Sequence, residues 1–327
     1  MNPTSSPTAS PFRVALALAT VYVIWGSTYL AIAVAVQTLP PFWMAGVRFV
    51  VSGALLYGLA RWQGAAQPTP TNWRSAALIG ALLLFIGTGG VAWAEQHVSS
   101  GIAALMVSMT PLWMVLFRWI QPGGERPTGR VWAGLGLGFA GLMILARPWE
   151  ASAGGGLDPL GVVALLLACV SWAWGSIWSR RVSLPESPVM STGLEMLCGG
   201  AMLLLFGAFA GEPAQLHLAT ISGRSILALV YLITFGAVGF IAYIWLLRAA
   251  NPVLVSTYAY VNPIVAVFLG WLLLNEPVTA KTLVAAAVIV AAVAMITMAQ
   301  ARPAASPKPV EERKESGCAE VPELAEA

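Results

Sequence analysis

Two ionisable residues stand inside runs otherwise apolar enough to cross a bilayer: Arg48 in PFWMAGVRFVVSGALLYG (41–58) and Glu195 in PVMSTGLEMLCGGAMLL (188–204). A charge at the centre of a membrane helix costs roughly 2.5–3.5 kcal/mol even on insertion scales, so each is a functional-site hypothesis. Arg48 could hold a carboxylate or another anion. Glu195 could exchange a proton and so couple movement of a solute to a proton gradient. A buried structural pair, each charge neutralising the other, is the competing reading.

Aromatic and polar residues at helical spacing come next. Tyr22, Trp25 and Tyr29 fall at i, i+3 and i+7, on one helix face, with Ser171, Trp174 and Trp178 as counterparts 149 residues on. Trp25, Tyr29 and Trp174 could wall a pocket for flat or partly apolar solutes, with cation–π attraction for a cationic one. Ordinary packing or a lipid-facing belt serves Tyr22 and Trp178 equally well. Pro111 and Pro263 interrupt later apolar runs, where each removes a backbone hydrogen bond, giving either hinges or static bends. Tyr258 and Asn262, one turn apart beside Pro263, offer polar groups to the same interior. Glu125 and Glu276 precede the fifth and tenth apolar runs, where an acid favours a helix N-terminus.

The elements that carry these residues are membrane helices. The 327 residues are 58% hydrophobic and 9% charged, against about 25% charged in a typical soluble domain. Cutting at charges, prolines and polar clusters leaves ten apolar stretches, from Val14–Val36 to Ala280–Ala299, most near the roughly 20 residues a spanning helix needs. Trp73, Trp119 and Trp149 sit near predicted helix ends, as interfacial aromatics do. With the N-terminus inside, 13 Lys and Arg fall on the cytoplasmic side and three (Arg147, Arg224, Lys281) outside. That bias predicts both termini in the cytoplasm. No cleavage site precedes the first apolar run, so it is expected to stay as a helix.

The charged segments are two copies of one unit. A shift of 147 residues carries Pro41, Gly46, Arg48 and Gly53 onto Pro188, Gly193, Glu195 and Gly200. Trp25-Gly26-Ser27 matches Trp174-Gly175-Ser176, and Pro111 matches Pro263. Five helices is an odd number, so the second copy must enter the membrane upside down, and inverted repeats are a transporter architecture. The expected fold is all-α and integral to the membrane, with ten transmembrane helices in two inverted five-helix repeats. The expected organisation is a cytoplasmic segment at 1–13, repeats at 14–147 and 159–300, and a disordered tail at 302–327, too polar to bury a core.

YVIWGSTYLAI, LPPFWMAGVRFVVSG, WAEQHVSSGIAALM and TPLW together resemble the drug/metabolite transporter superfamily, and within it the EamA-type exporters, over about residues 13 to 300. The resemblance implies a central cavity lined by helices 1–4 and 6–9, with helices 5 and 10 peripheral. Its members carry amino acids, nucleotide-type metabolites, sugars or toxic cations. The expectation is an inner-membrane secondary transporter that exports small metabolites, amino acids or amphipathic and cationic compounds. Alternating access would be driven by protons or run as facilitated flow. A small-molecule substrate, the lipid bilayer and protons are the expected partners, and a homodimer is one assembly open to it.

Rival classes lack their residues. Cys169, Cys198 and Cys318 form neither a CxxC nor an even framework, and no metal is expected. Gly136, Gly138 and Gly141 spell a dinucleotide fingerprint, but inside an apolar helix with no strand before it, where close helix packing is the better reading. No P-loop occurs, so no nucleotide cofactor is expected. The net charge of +3 is scattered at helix ends, unlike a nucleic-acid footprint. An intramembrane enzyme would need a nucleophile and base or a metal set, yet His97 and His217 both fall in predicted loops. A phosphorylated-metabolite antiporter would need more than one membrane arginine.

Overall fold

The computed structural model describes residues 10–121, 126–146, 157–250, 252–255 and 257–300. The terminal segments outside 10–300, and Glu125, lie outside the described residues. Among those described there is no strand. Eight helices are long and apolar enough to cross a membrane. They are α1 (Pro11–Ala35), α2 (Pro41–Trp62), α3 (Pro70–Ala94), α4 (Ser100–Ile120), α6 (Pro159–Trp178), α7 (Pro188–Phe209), α8 (Gly223–Ala249) and α10 (Ala280–Gln300). Two shorter apolar helices are α5 (Gly129–Ala146) and α9 (Tyr258–Leu274). Proline opens α1, α2, α3, α6 and α7 at their first positions, where its missing N–H is no loss.

Packing is its own image when the two halves are exchanged. Helix α1 packs on α8 and α9, and α6 packs on α3 and α4. Helix α2 meets α7, α4 meets α9, and α5 meets α10. Each half thus inserts its first helix between the third and fourth of the other, which buries all four against the opposite half. Helices α5 and α10 pack chiefly on each other, sharing Leu135, Leu142, Ile289 and Val293.

The α2–α7 contact carries the repeat's glycines. A Cβ on Gly53 would sit 2.8 Å from Leu197 N, one on Gly200 2.8 Å from Val50 N, and one on Gly193 2.9 Å from Tyr57 N. These pairs run in opposite directions along the two helices, so α2 and α7 are antiparallel. Small residues let the backbones approach where lipid supplies no hydrophobic drive.

Two helices depart from regular geometry. Helix α3 is a π-helix over Ala81–Thr88, where Ser171 Oγ of α6 donates to Leu82 O at 2.7 Å. Helix α4 is broken between Ser100–Val107 and Thr110–Ile120, so Pro111 starts a helix segment and does not kink a continuous one. The reason is local: the proline ring clashes with the carbonyl four residues back, at Val107. Thr110 Oγ1 donates to the Val107 carbonyl at 2.6 Å, and Ser108 Oγ to Leu105 O at 2.7 Å. Pro263 does lie inside a helix, α9. A short separate helix, Pro252–Val255, precedes α9.

Candidate functional site

Arg48 and Glu195 do not pair. In the antiparallel α2–α7 contact Gly53 lies against Leu197 and Tyr57 against Gly193. Glu195 is therefore opposite the region between Gly53 and Tyr57, some seven residues from Arg48. At 1.5 Å rise per residue the two charges are about 10 Å apart along the axis. The antiparallel run of α2 and α7 is the physical reason, since equivalent positions of two antiparallel helices meet only at their crossing point. Glu195 is half-buried against α3, its Oε1 accepting from Ser191 Oγ at 3.1 Å.

The charge that does meet Arg48 is Glu95, at the C-terminal cap of α3. Each acts electrostatically on the other, yet no carboxylate among the described residues lies within 4 Å of the guanidinium. That group lies 4.9 Å from the ring of Phe49. Gly236 of α8 lies beside it, and a Cβ there would make an ordinary contact with Nη2 at 3.5 Å. Glu95 is 7% exposed, and neither carboxylate oxygen has a hydrogen-bond partner of normal geometry. The α1 backbone at Ala33 approaches it.

Glu95 opens into a cavity of about 530 Å³, lined also by Ala33, Gln37, Gln96, Ser99, Ser100 and Glu276. Glu276 belongs to the second half but does not serve the N-terminus of α10. Its Oε1 accepts from Ser100 N at 2.8 Å and Ser100 Oγ at 2.7 Å, and its Oε2 from Gly101 N at 3.1 Å, so it caps α4. Asn275, in the left-handed conformation at φ 54, reverses the chain so that the next side chain points back at α4. A carboxylate in this place complements the partial positive charge of a helix N-terminus. Glu212 does the same for α2, accepting from Phe42 N at 3.1 Å and Trp43 N at 2.7 Å.

The aromatic residues form two separate groups. Trp25 stacks among Phe240, Tyr243 and Tyr258 with centroids 5.9, 4.9 and 5.1 Å away. Tyr22 is hydrogen-bonded to Thr257 beside them. Trp174 instead meets Phe117 at 5.3 Å and stacks on Trp178 at 5.8 Å. The pocket expected between Trp25 and Trp174 is thus two clusters, one for each half's first helix. Tyr29, one turn above Trp25, is half-buried and electrostatically linked both to Glu95 and to Tyr258. Asn262 is 7% exposed and its Oδ1 has no partner. Its backbone carbonyl approaches Gly26 of α1.

Tyr29, Arg48, Glu95, Tyr258 and Asn262 are polar groups buried or half-buried within the apolar bundle. The sequence singles out Tyr29, Arg48, Tyr258 and Asn262, and not Glu95. Glu95 was missed because it ends an apolar run, where an acid reads as a solvated helix terminus. The sequence signal available was its place in WAEQ, directly after a run with no other charge. Among the described residues no group of three or more metal-ligating side chains occurs.

These features define a class of protein. The sequence matches the EamA-like transporter family over residues 12–147 and again over 159–298, and the chain belongs to that family: it is a membrane transporter, not an enzyme. Its relatives include YedA of Escherichia coli K12, named as an uncharacterized inner membrane transporter. It is 39% identical over 299 residues, which cover 89% of this chain and 94% of YedA. Protein PecM of Dickeya dadantii is 28% identical, with 84% and 88% covered. The WAT1-related chloroplastic protein At3g02690 of Arabidopsis thaliana is 29% identical, with 84% and 67% covered. A protein of known crystal structure superposes with a TM-score of 0.60 at 22% identity, over 88% of this chain and 99% of its own. At that identity the likeness concerns the fold alone.

Proposed function

We propose that this chain is an inner-membrane secondary transporter that exports small metabolites, amino acids or amphipathic cations by alternating access. In this reading α1–α5 and α6–α10 are two inverted repeats of five crossings each, at 14–147 and 159–300, with both termini in the cytoplasm. The name of YedA supports the inner membrane, and the Lys and Arg asymmetry supports the orientation. The observation that carries the proposal is that Arg48 and Glu95 lie deep in one bundle without touching. Glu95, with neither oxygen partnered, is left for a positive charge, and Arg48, with no carboxylate at ion-pair distance among the described residues, for a carboxylate or other anion. Trp25 and Tyr258 supply the apolar wall on the side where α1 and α9 close together. Pro111, just after the break in α4, and Pro263, inside α9, supply hinges in the two helices.

The test is efflux from proteoliposomes of a panel of radiolabelled amino acids and cationic dyes, wild type against Arg48→Gln. The expected outcome is at least one solute that moves in wild type, with anion-bearing solutes lost selectively in the variant. Equal flux of every solute by the two proteins at equal reconstitution would remove Arg48 from the site.

A further inference from the structure

We propose that Glu95 is the proton-binding carboxylate of this transporter, loaded through the cavity between α1, the α3–α4 turn and Glu276. The inference deepens the transporter reading and rests on it. It displaces Glu195, the sequence's own candidate, because Glu195 already accepts a hydrogen bond from Ser191 and lines no part of that cavity.

Both carboxylate oxygens of Glu95 are shut off from solvent and unpartnered, a placement that a neutral carboxyl tolerates and an anion does not. The cavity of about 530 Å³ beside it is the route by which water and a proton reach the group. Three titratable or charged groups face Glu95 from the elements around it: Tyr29 from α1, Arg48 from α2 and Glu276 from the α9–α10 turn. Tyr29 is neutral. Glu276 is itself an anion, bound to the amides of Ser100 and Gly101, and its charge repels an ionised Glu95. Arg48 acts on Glu95 but makes no ion pair with it. His97, on the same turn, is engaged elsewhere, its Nδ1 2.9 Å from Asp158 Oδ2. Among the described residues no cation therefore compensates Glu95 at ion-pair distance.

Ionisation needs water at this carboxylate, since burial disfavours the charged form. A proton removes that need. Protonated Glu95 can be enclosed as α1 and α4 come together, whereas the anion props the cavity open. The cavity lies on the side where α1 ends and α4 begins, which is the outer side in the orientation set by the basic residues. A proton taken up there and released inside is the counter-flow an exporter needs.

Two measurements test this without knowledge of the solute. The first is infrared difference spectroscopy of the lipid-reconstituted full chain between neutral and acid pH, which reads the carbonyl stretch of a protonated carboxylic acid. A titrating band is expected in wild type and in Glu195→Gln, and its loss in Glu95→Gln. The second is labelling of Ser99→Cys by a membrane-impermeant maleimide at one fixed pH, in a chain with Cys198 and Cys318 changed to Ser. Glu95→Gln, which mimics the protonated state, is expected to slow labelling severalfold. Loss of a negative charge would by itself favour the reactive thiolate, so that bias runs against the expected result.

A band that survives in Glu95→Gln, or no titrating band at all, overturns the proposal, as does labelling in Glu95→Gln as fast as in wild type. Solvent-exposed acids titrate in both variants and cancel in the comparison. If the panel of solutes moves while Glu95 carries no proton, this inference fails and the transporter reading stands. If Glu95 titrates but no solute moves, the transporter reading is the one that fails.

Discussion

Gly53→Ala is the substitution for which the structure makes the sharpest forecast. The added Cβ would lie 2.8 Å from Leu197 N, 2.9 Å from Gly193 O and 2.9 Å from Met196 Cβ. Two of the three are backbone atoms of α7, so no rotamer change relieves them. An ordinary contact begins near 3.4 Å, and α2 and α7 must therefore part by about 0.6 Å. The opposing term is helix propensity, which favours Ala over Gly by roughly 1 kcal/mol. Overpacking of this kind costs about 1–3 kcal/mol, and loss of close contact along the rest of the α2–α7 seam adds to it. The expected net is a destabilisation of about 1–2 kcal/mol. Gly58 is on the same helix, exposed, with nothing within 4 Å of a Cβ, so Gly58→Ala should be neutral or stabilising. The assay is thermal unfolding of both variants in one detergent, followed by size-exclusion fluorescence. Equal melting of Gly53→Ala and Gly58→Ala would refute the claim that backbone approach at the glycines holds the halves together.

Removing the cross-half cap by Glu276→Ala is expected to destabilise by roughly 0.5–2 kcal/mol, visible as a lower Tm, with Glu212→Ala behaving alike at α2; unchanged melting would mean that water caps these helices as well. Asp158 lies in a loop and its carboxyl is held below the ordinary value of 3.8, first by the Leu160 N–H and then by His97. A depressed carboxylate contributes stability fully present above 3.8 and lost as pH falls through the lower folded value. Wild type should therefore lose Tm more steeply than Asp158→Asn below that pH, and parallel profiles would show that the cap contributes nothing. Trp25→Ala removes a ring packed against three others and is expected to cost about 3–5 kcal/mol, whereas Trp25→Phe should keep most of that stability and shift the solute profile. Retention of both stability and profile by Trp25→Ala would leave the cluster no role.

Much of the architecture was legible because it is written in local properties. Apolar runs, helix-opening prolines and the 147-residue echo of Pro41, Gly46, Arg48 and Gly53 depend only on the chain's neighbours and on the bilayer as solvent. Membership in a two-repeat transporter family follows from them, and so does the prominence of Arg48. What only the tertiary structure decided is which charge meets which. Arg48 lies away from Glu195, because α2 and α7 run antiparallel and their equivalent positions do not fall opposite each other. Glu276 caps α4 and not its own neighbour, because Asn275 turns the chain across the seam between halves. Trp25 and Trp174 join different clusters, because each first helix inserts into the opposite half. Sequence spacing records how residues lie along one helix, while a site between helices depends on how two such helices are turned and slid against each other, and that is fixed only by packing.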